Sequence, residues 1–221
     1  MDFEEYNLRF VKKEDAQEIR EILGQNIIDS HINFQKNIPS KTEIEEKIEK
    51  IEKEYPFIVA YKRKKSKKLN LNFSILNFKL IFFFFIKISL RVVGYSYCSS
   101  FRFGDGYRFS AETSIYVHGD HQKRKISFAL YQTLIKIMKC LGYKQLIAVI
   151  ALPNTSSINL HLKFGFEFFA QLEKAGNKKN QQNIQWIDIS FYRLVLSSFG
   201  DDRKILIISF YFLKNNFFFS F

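Results

Sequence analysis

Residues 124–141 place Ile126, Leu130, Leu134, Ile137 and Leu141 at i, i+4, i+8, i+11 and i+15, a stripe that only a helix gathers on one face. Gly142 follows at once and supplies the stop. The stretches on either side, 107–118 and 145–151, are apolar and rich in β-branched residues, so they read as strands. A stripe of this length must be buried against a neighbouring layer, and strands on both sides provide a sheet for it.

The rest of the chain extends the pattern. Residues 7–11 read as a strand and 14–23 as a helix with Ile19, Ile22 and Leu23 on one face. Ser40 to Glu43 fits a capping box that opens a second helix, whose Ile44, Ile48 and Ile51 form a stripe. Residues 57–61 are a short strand after Pro56. Residues 92–103 and 107–118 form a hairpin around the turn Gly104-Asp105-Gly106. After the strand at 145–151, Asn154 or Thr155 caps a short helix that Gly165 ends, and 166–172 and 185–194 are two further strands. The expected fold is mixed α/β (α+β), with a central mixed, twisted sheet of about six to seven strands and helices on both faces.

At 221 residues the chain has room for one full-sized domain and not two comfortable ones. Its net charge of +12 is concentrated: residues 62–91 hold nine basic side chains and no acidic one, leaving +3 for everything else, an ordinary value for a globular domain. We expect one domain over 1–198, interrupted by the basic, Phe-rich insertion 62–91, and a Phe-rich tail over 199–221 outside the core. These two stretches carry 13 of the 26 phenylalanines and are nearly restricted to Lys, Asn, Phe, Ile, Leu and Ser, types largely encoded by A and T. Three readings stay open for them: translated non-coding sequence such as a retained intron and a read-through tail, a membrane-surface element, or an extended β-hairpin. The apolar run 80–86, closed by Lys79 and Lys87, falls far short of the ~20 residues of a bilayer span.

Cys98 and Cys140 have no paired or ligand-like spacing, and His31, His118 and His121 form no metal-ligand set, so neither a disulfide framework nor a metal is expected. The acidic first residues lack an apolar stretch of signal-peptide type, which makes the cytoplasm the expected location.

Chemistry enters at residues 111–135, AETSIYVHGDHQKRKISFALYQTLI. A strand runs through a basic loop into a helix whose first N–H groups and positive dipole end face outward, a geometry suited to a pyrophosphate. The stretch resembles the acetyl-CoA signature Q/R-x-x-G-x-G/A of the GNAT acetyltransferases, with Gln122 in its first position. LRFVKKEDAQEIREI, IIDSHINF, EYPFIVAY, VVGYSYCSSFR, LIAVIALPNTSSINLHLKFGF and WIDISFYRL resemble, in order, the phosphinothricin acetyltransferase group of that superfamily. The resemblance covers about residues 7–61 and 92–194 and implies the GNAT fold, with acetyl-CoA as co-substrate and no metal.

It also implies roles for residues. Glu112 stands where the family has its proposed base and His161 where it places the acid for the departing thiolate. Ile115, Tyr116 and Val117 would bind the pantetheine arm through their main chain, and Asn154 through its side chain. Gln122, Lys123, Arg124, Lys125, Ile126 and Ser127 would hold the pyrophosphate. Phe34 and Arg102 would meet the acceptor, Phe34 as part of a covering loop and Arg102 toward a carboxylate, while Lys178 and Trp186 resemble a late family segment and read as structural. The implied activity is direct transfer of acetyl, in a ternary complex, to the primary amine of an amino acid or analogue such as phosphinothricin or methionine sulfoximine. The implied partner is a second copy of the chain; neither nucleic acid nor a membrane span is expected.

There is one departure. Lys125 occupies a glycine position and Ser127 a glycine or alanine position, where a side chain would obstruct close backbone approach to the pyrophosphate. Two rival readings therefore stand: a catalytically silent GNAT-like chain with impaired acetyl-CoA binding, and a basic binder of membrane surfaces or nucleic acid driven by residues 62–68.

Overall fold

The computed structural model describes residues 6–28, 30–63, 90–179, 184–196 and 219–220. Along the chain they form β1 (Tyr6–Phe10), α1 (Ala16–Ile28), α2 (Lys41–Glu52), β2 (Phe57–Arg63), β3 (Leu90–Ser100), β4 (Ser110–Val117), α3 (Ile126–Cys140), β5 (Gln145–Ala151), α4 (Thr155–Lys163), β6 (Glu167–Lys179), β7 (Ile184–Val195) and β8 (Phe219–Ser220). One sheet collects all the strands in the order β6-β7-β5-β4-β3-β2-β1-β8. Only β4 and β5 are parallel neighbours; the other pairs are antiparallel.

Seven of these strands match the expected sheet, and the two-residue β8 adds an eighth on the β1 edge, so this end of the tail joins the sheet. The remainder of the expected tail lies outside the described residues, as do residues 64–89 of the insertion. Lys62↔Arg91 and Arg63↔Leu90 pair across β2 and β3, so the insertion falls between the strands of one hairpin.

The helices lie on both faces. On α3, Leu130, Tyr131, Leu134 and Met138 are completely buried, and the Thr113 hydroxyl of β4 meets the Tyr131 hydroxyl at 2.6 Å. The opposite face of β4 carries Tyr116, whose hydroxyl is hydrogen-bonded by Asn33 of the α1–α2 connection. Strand alternation thus sends 111 and 113 to α3, and 112, 114 and 116 toward α1 and α2.

Local chemistry sets the element ends. Ser40 and Glu43 form the expected capping box, with Glu43 N–H to Ser40 Oγ at 3.2 Å and Ser40 N–H to Glu43 Oε2 at 2.7 Å. Gly142 closes α3 at φ +73°: its N–H reaches Lys139 O at 3.1 Å and Tyr143 N–H reaches Met138 O at 3.2 Å, the paired bonds of a Schellman cap. The first helix differs from expectation at both ends. Its opening turn is a 3₁₀ turn, because the Asp15 carboxylate takes the Lys12 N–H at 2.8 Å and both Arg9 nitrogens at 2.7 Å. It runs on to Ile28 because Ile27, four residues beyond Leu23, is also buried. The β3–β4 connection is likewise longer than the three-residue turn expected, spanning 101–109 with a 3₁₀ turn at Asp105–Tyr107.

Candidate active site

β4 and β5 are joined only where they begin, at Ser110↔Gln145, Ala111↔Leu146 and Glu112↔Ile147. Beyond this β5 pairs with β7 alone, so the flank of β4 from Thr113 to Val117 has no strand partner toward β5 among the described residues. Main-chain donors and acceptors left along such a flank can take up an extended ligand as if it were another strand. The gap holds a cavity of ≈ 140 Å³ lined by Glu112, Ile115, Tyr116, Asn154 and His161. It adjoins a second one of ≈ 340 Å³ lined by Val117, His121, Gln122, Lys123, Ile126, Ser127 and Asn154. Sequence reading named these residues one by one; the splay of two strands brings them together.

The far end of this cleft is the start of α3. Its first turn holds no acidic residue, so nothing there competes for the positive dipole end. Lys125, the residue before the helix, sits at φ +62°, and Lys123 at φ +61°. The loop is anchored from α1: Gln25 Oε1 accepts the Gly119 N–H at 3.2 Å and Gln25 Nε2 donates to His118 Nε2 at 3.1 Å.

Glu112 is half-buried and shares its face of β4 with Ser114 and Tyr116; Ser99, Tyr97 and Tyr95 of β3 stand opposite these three. Burial raises its pKa above the ordinary carboxylate value, and the Arg102 guanidinium partly offsets the rise. Lys47 of α2 donates to the Tyr97 hydroxyl at 2.8 Å. Tyr97, Asn33 and the side chain of Tyr116 were missed in the sequence, although the period of two from Glu112 points to Tyr116.

His161 is 4% exposed, and its Nδ1 lies 2.7 Å from the Ser157 carbonyl oxygen, one helical turn earlier. A carbonyl only accepts, so Nδ1 carries the proton and Nε2 of the neutral ring is an acceptor. Burial lowers the His161 pKa, and the bond to Ser157 opposes this. Donation from Nε2 requires the imidazolium, the form that burial disfavours, so the ring must first take up a proton before it can give one to a thiolate. Asn154, the N-cap of α4, accepts the Ser157 N–H at 3.1 Å and thereby sets the turn that holds His161.

Phe34 does not line the Glu112 cleft. Its ring lies on Gly176 of β6, where an added Cβ would come within 2.6–2.9 Å of it, and it borders a separate cavity of ≈ 560 Å³ with His31, Lys36, Lys178 and Gln185. Ile32, from the same loop, faces the cleft instead. Arg102 is exposed, stacked 4.6 Å from the Phe101 ring centroid, and reaches Glu112 by its charge. Lys178 Nζ donates to the carbonyls of Ile27 and Ser30, which ties β6 to the end of α1, and Trp186 is 56% exposed. Among the described residues no group of His, Cys, Asp and Glu is placed to hold a metal, and no helix is long and apolar enough to cross a membrane.

Residues 73–188 match the family model described as an acetyltransferase (GNAT) domain. The chain belongs to the GNAT acetyltransferases. It is 25% identical over 179 residues to a phosphinothricin N-acetyltransferase of Streptomyces viridochromogenes, covering 81% of each chain. It is 32% identical over 106 residues to an L-methionine sulfoximine/L-methionine sulfone acetyltransferase of Pseudomonas paraeruginosa; that match takes in 48% of this chain and 59% of the relative. Among solved structures, a GNAT superfamily phosphinothricin acetyltransferase from Sinorhizobium meliloti in complex with acetyl-CoA aligns at a TM-score of 0.69 and 28% identity, over 86% of this chain and 88% of that one.

The donor of GNAT enzymes is acetyl-CoA, and the residues present fit it: an open β4 flank, a cleft along it, and a cationic loop ending at a helix N-terminus. The glycine of the GNAT signature also acquires a second reason. Its place here, Lys125, is left-handed, a conformation that costs a residue with a Cβ roughly 1–2 kcal/mol. Crowding of the pyrophosphate is therefore not the whole of the lysine's cost.

Proposed function

We propose that this chain transfers the acetyl group of acetyl-CoA to the primary amine of a small amino acid or analogue, phosphinothricin and methionine sulfoximine being the model acceptors. The carrying observation is the parting of β4 from β5 beside Glu112, with His161, Asn154 and the start of α3 on the same cleft. Acetyl-CoA supplies the activated acetyl thioester. Ile115, Tyr116 and Val117 hold its pantetheine arm along the β4 flank, Asn154 bonds the same arm, and residues 122–127 hold the pyrophosphate.

The acceptor lies on the α1–α2 face of the sheet, over Glu112, Tyr97 and Tyr116, with Arg102 attracting its carboxylate. Glu112 takes the ammonium proton, which frees the amine lone pair for direct attack on the thioester carbonyl. A raised pKa suits that task, since a base titrating closer to neutral pH competes better for an ammonium proton. His161 accepts at Nε2, so it takes the second proton as the amine attacks, directly or through water, and returns it to the CoA thiolate that leaves when the tetrahedral adduct collapses.

The protein works as a homodimer in this reading. β6 is an edge strand, and Phe168, Ile184 and Trp186, which the register places on one face of β6 and β7, are each more than half exposed, apolar positions suited to a second copy. The location is the cytoplasm.

Titration calorimetry with acetyl-CoA, followed by an acetylation assay with phosphinothricin and methionine sulfoximine, tests the reading. We expect micromolar binding, and Glu112→Gln to lower kcat by about 10²-fold or more while leaving that binding intact. A folded chain that does not bind acetyl-CoA defeats the reading and leaves the silent homologue, with Lys125 as its cause.

A further inference from the structure

The cavity of ≈ 560 Å³ beside Phe34 takes no part in the proposed transfer, yet it has the size of a small-molecule site. Its walls come from two regions far apart in sequence, the end of α1 with the connection that follows it, and the facing parts of β6 and β7. Among its described lining residues the charged side chains are Lys36 and Lys178, joined by His31, and none is acidic. Ile27 and Phe34 supply apolar surface, and Asn177 and Gln185 supply amides that both donate and accept. Lys178 is fixed in place by its bonds to the Ile27 and Ser30 carbonyls. Both acceptors are neutral and an ammonium has three donors, so one N–H remains and the charge is unmatched. Burial lowers the Lys178 pKa, as expected of an ammonium that has lost water without gaining a carboxylate. Lys36 is exposed and has no carboxylate partner among the described residues.

We propose that this cavity is a second small-molecule site, which binds the N-acetylated amino acid that the reaction releases. This rests on the acetyl-transfer reading above. Lys178 and Lys36 take the carboxylate, the amides of Asn177 and Gln185 meet the acetamide, and Ile27 and Phe34 pack on the side chain. Acetylation changes an amino acid in the way this lining detects. The acceptor carries an ammonium beside its carboxylate; the product keeps the carboxylate, loses the ammonium and gains an amide. An ammonium held here would lie beside Lys36 and Lys178 as a like charge, so the cavity favours product over acceptor. The connection between α1 and α2 joins this site to the acceptor cleft. His31 lines the cavity and its Nε2 donates to the Pro153 carbonyl at 2.8 Å, next to Asn154; Ile32 faces the cleft, and Asn33 bonds the Tyr116 hydroxyl. One loop thus walls both the product site and the acceptor cleft.

Titration calorimetry on the full chain tests this with N-acetyl-L-methionine and its neutral analogue N-acetyl-L-methioninamide, neither of which has an amine left to acetylate. The carboxylate should bind about tenfold or more tightly than the amide, and the gap should narrow as salt is raised. Lys36→Glu should abolish that preference while acetyl-CoA binding on the same sample stays unchanged, which also shows that the variant is folded. Lys178→Gln should abolish it too, and Lys36→Glu decides the matter where the loss of the Lys178 tie unfolds the chain. Equal binding of the two ligands, or no binding of either, by a chain that binds acetyl-CoA overturns the proposal and leaves the acetyl-transfer reading standing. So does a preference that survives Lys36→Glu, since it seats the product outside this cavity. Failure of acetyl-CoA to bind the unaltered protein overturns the reading, and with it the naming of the ligand as product.

Discussion

Lys125 carries a cation into a backbone conformation that suits glycine. At φ +62° the strain of the side chain opposes whatever its ammonium contributes to holding a diphosphate. The strain is present with or without ligand, so Lys125→Gly should stabilise the protein by about 1 kcal/mol, a rise in Tm of roughly 2–4 °C for a domain of this size. Acetyl-CoA binding measured on the same sample should tighten if backbone approach matters more than the lost charge. Glu112 and Arg102 make a second pair of opposed effects. Burial raises the Glu112 pKa and Arg102 lowers it, and the base acts only when deprotonated, so activity should fall on the acid side from a higher pH than an ordinary carboxylate would give. Replacing Arg102 by Gln removes the opposing charge and raises the pKa further. The acid limb of kcat/KM against pH should then move upward, and only slightly, because Arg102 is exposed and screened.

On α4 one cap serves both the fold and the site. Asn154 holds the Ser157 N–H, the Ser157 carbonyl holds His161 Nδ1, and Asn154 itself lines the cleft. Asn154→Ala should cost about 1 kcal/mol in urea unfolding and lower kcat as well, because the fraying turn is the one that orients His161. Asn154→Asp keeps the cap and should recover the stability, which separates the helix's requirement from that of the ligand. The capping box of α2, the glycine stop of α3 and the Asn154 cap were all legible in the sequence, since each depends on residues within a few positions of one another. The first turn of α1 and the long β3–β4 connection were not. The former depends on Arg9 reaching Asp15 from another element, and the latter on where two strands cease to pair.

Across the whole molecule, the Arg9–Asp15 pair fastens β1 to the start of α1 in a site where both side chains are only 8% exposed. Removing one partner strands a buried charge, so Asp15→Ala should destabilise the fold by about 3–5 kcal/mol in urea titration. Lys178 makes a similar long-range tie, from β6 to the carbonyls ending α1, and Phe34 rests on Gly176 close to it. These ties hold the α1–α2 connection, and they explain why Phe34 borders its own cavity while Ile32 faces the cleft. The sequence by itself determined the order of helices and strands, their caps and apolar stripes, because periodicity and capping are local properties, and its resemblance to the GNAT acetyltransferases offered Glu112, His161 and Asn154 as candidates. Only the tertiary structure decided that β4 and β5 part after Glu112, that Lys125 is left-handed, that His161 Nδ1 meets the Ser157 carbonyl, and that Phe34 rests on Gly176. Each of these depends on which distant segments share a sheet edge or a face, and no run of neighbouring residues records that.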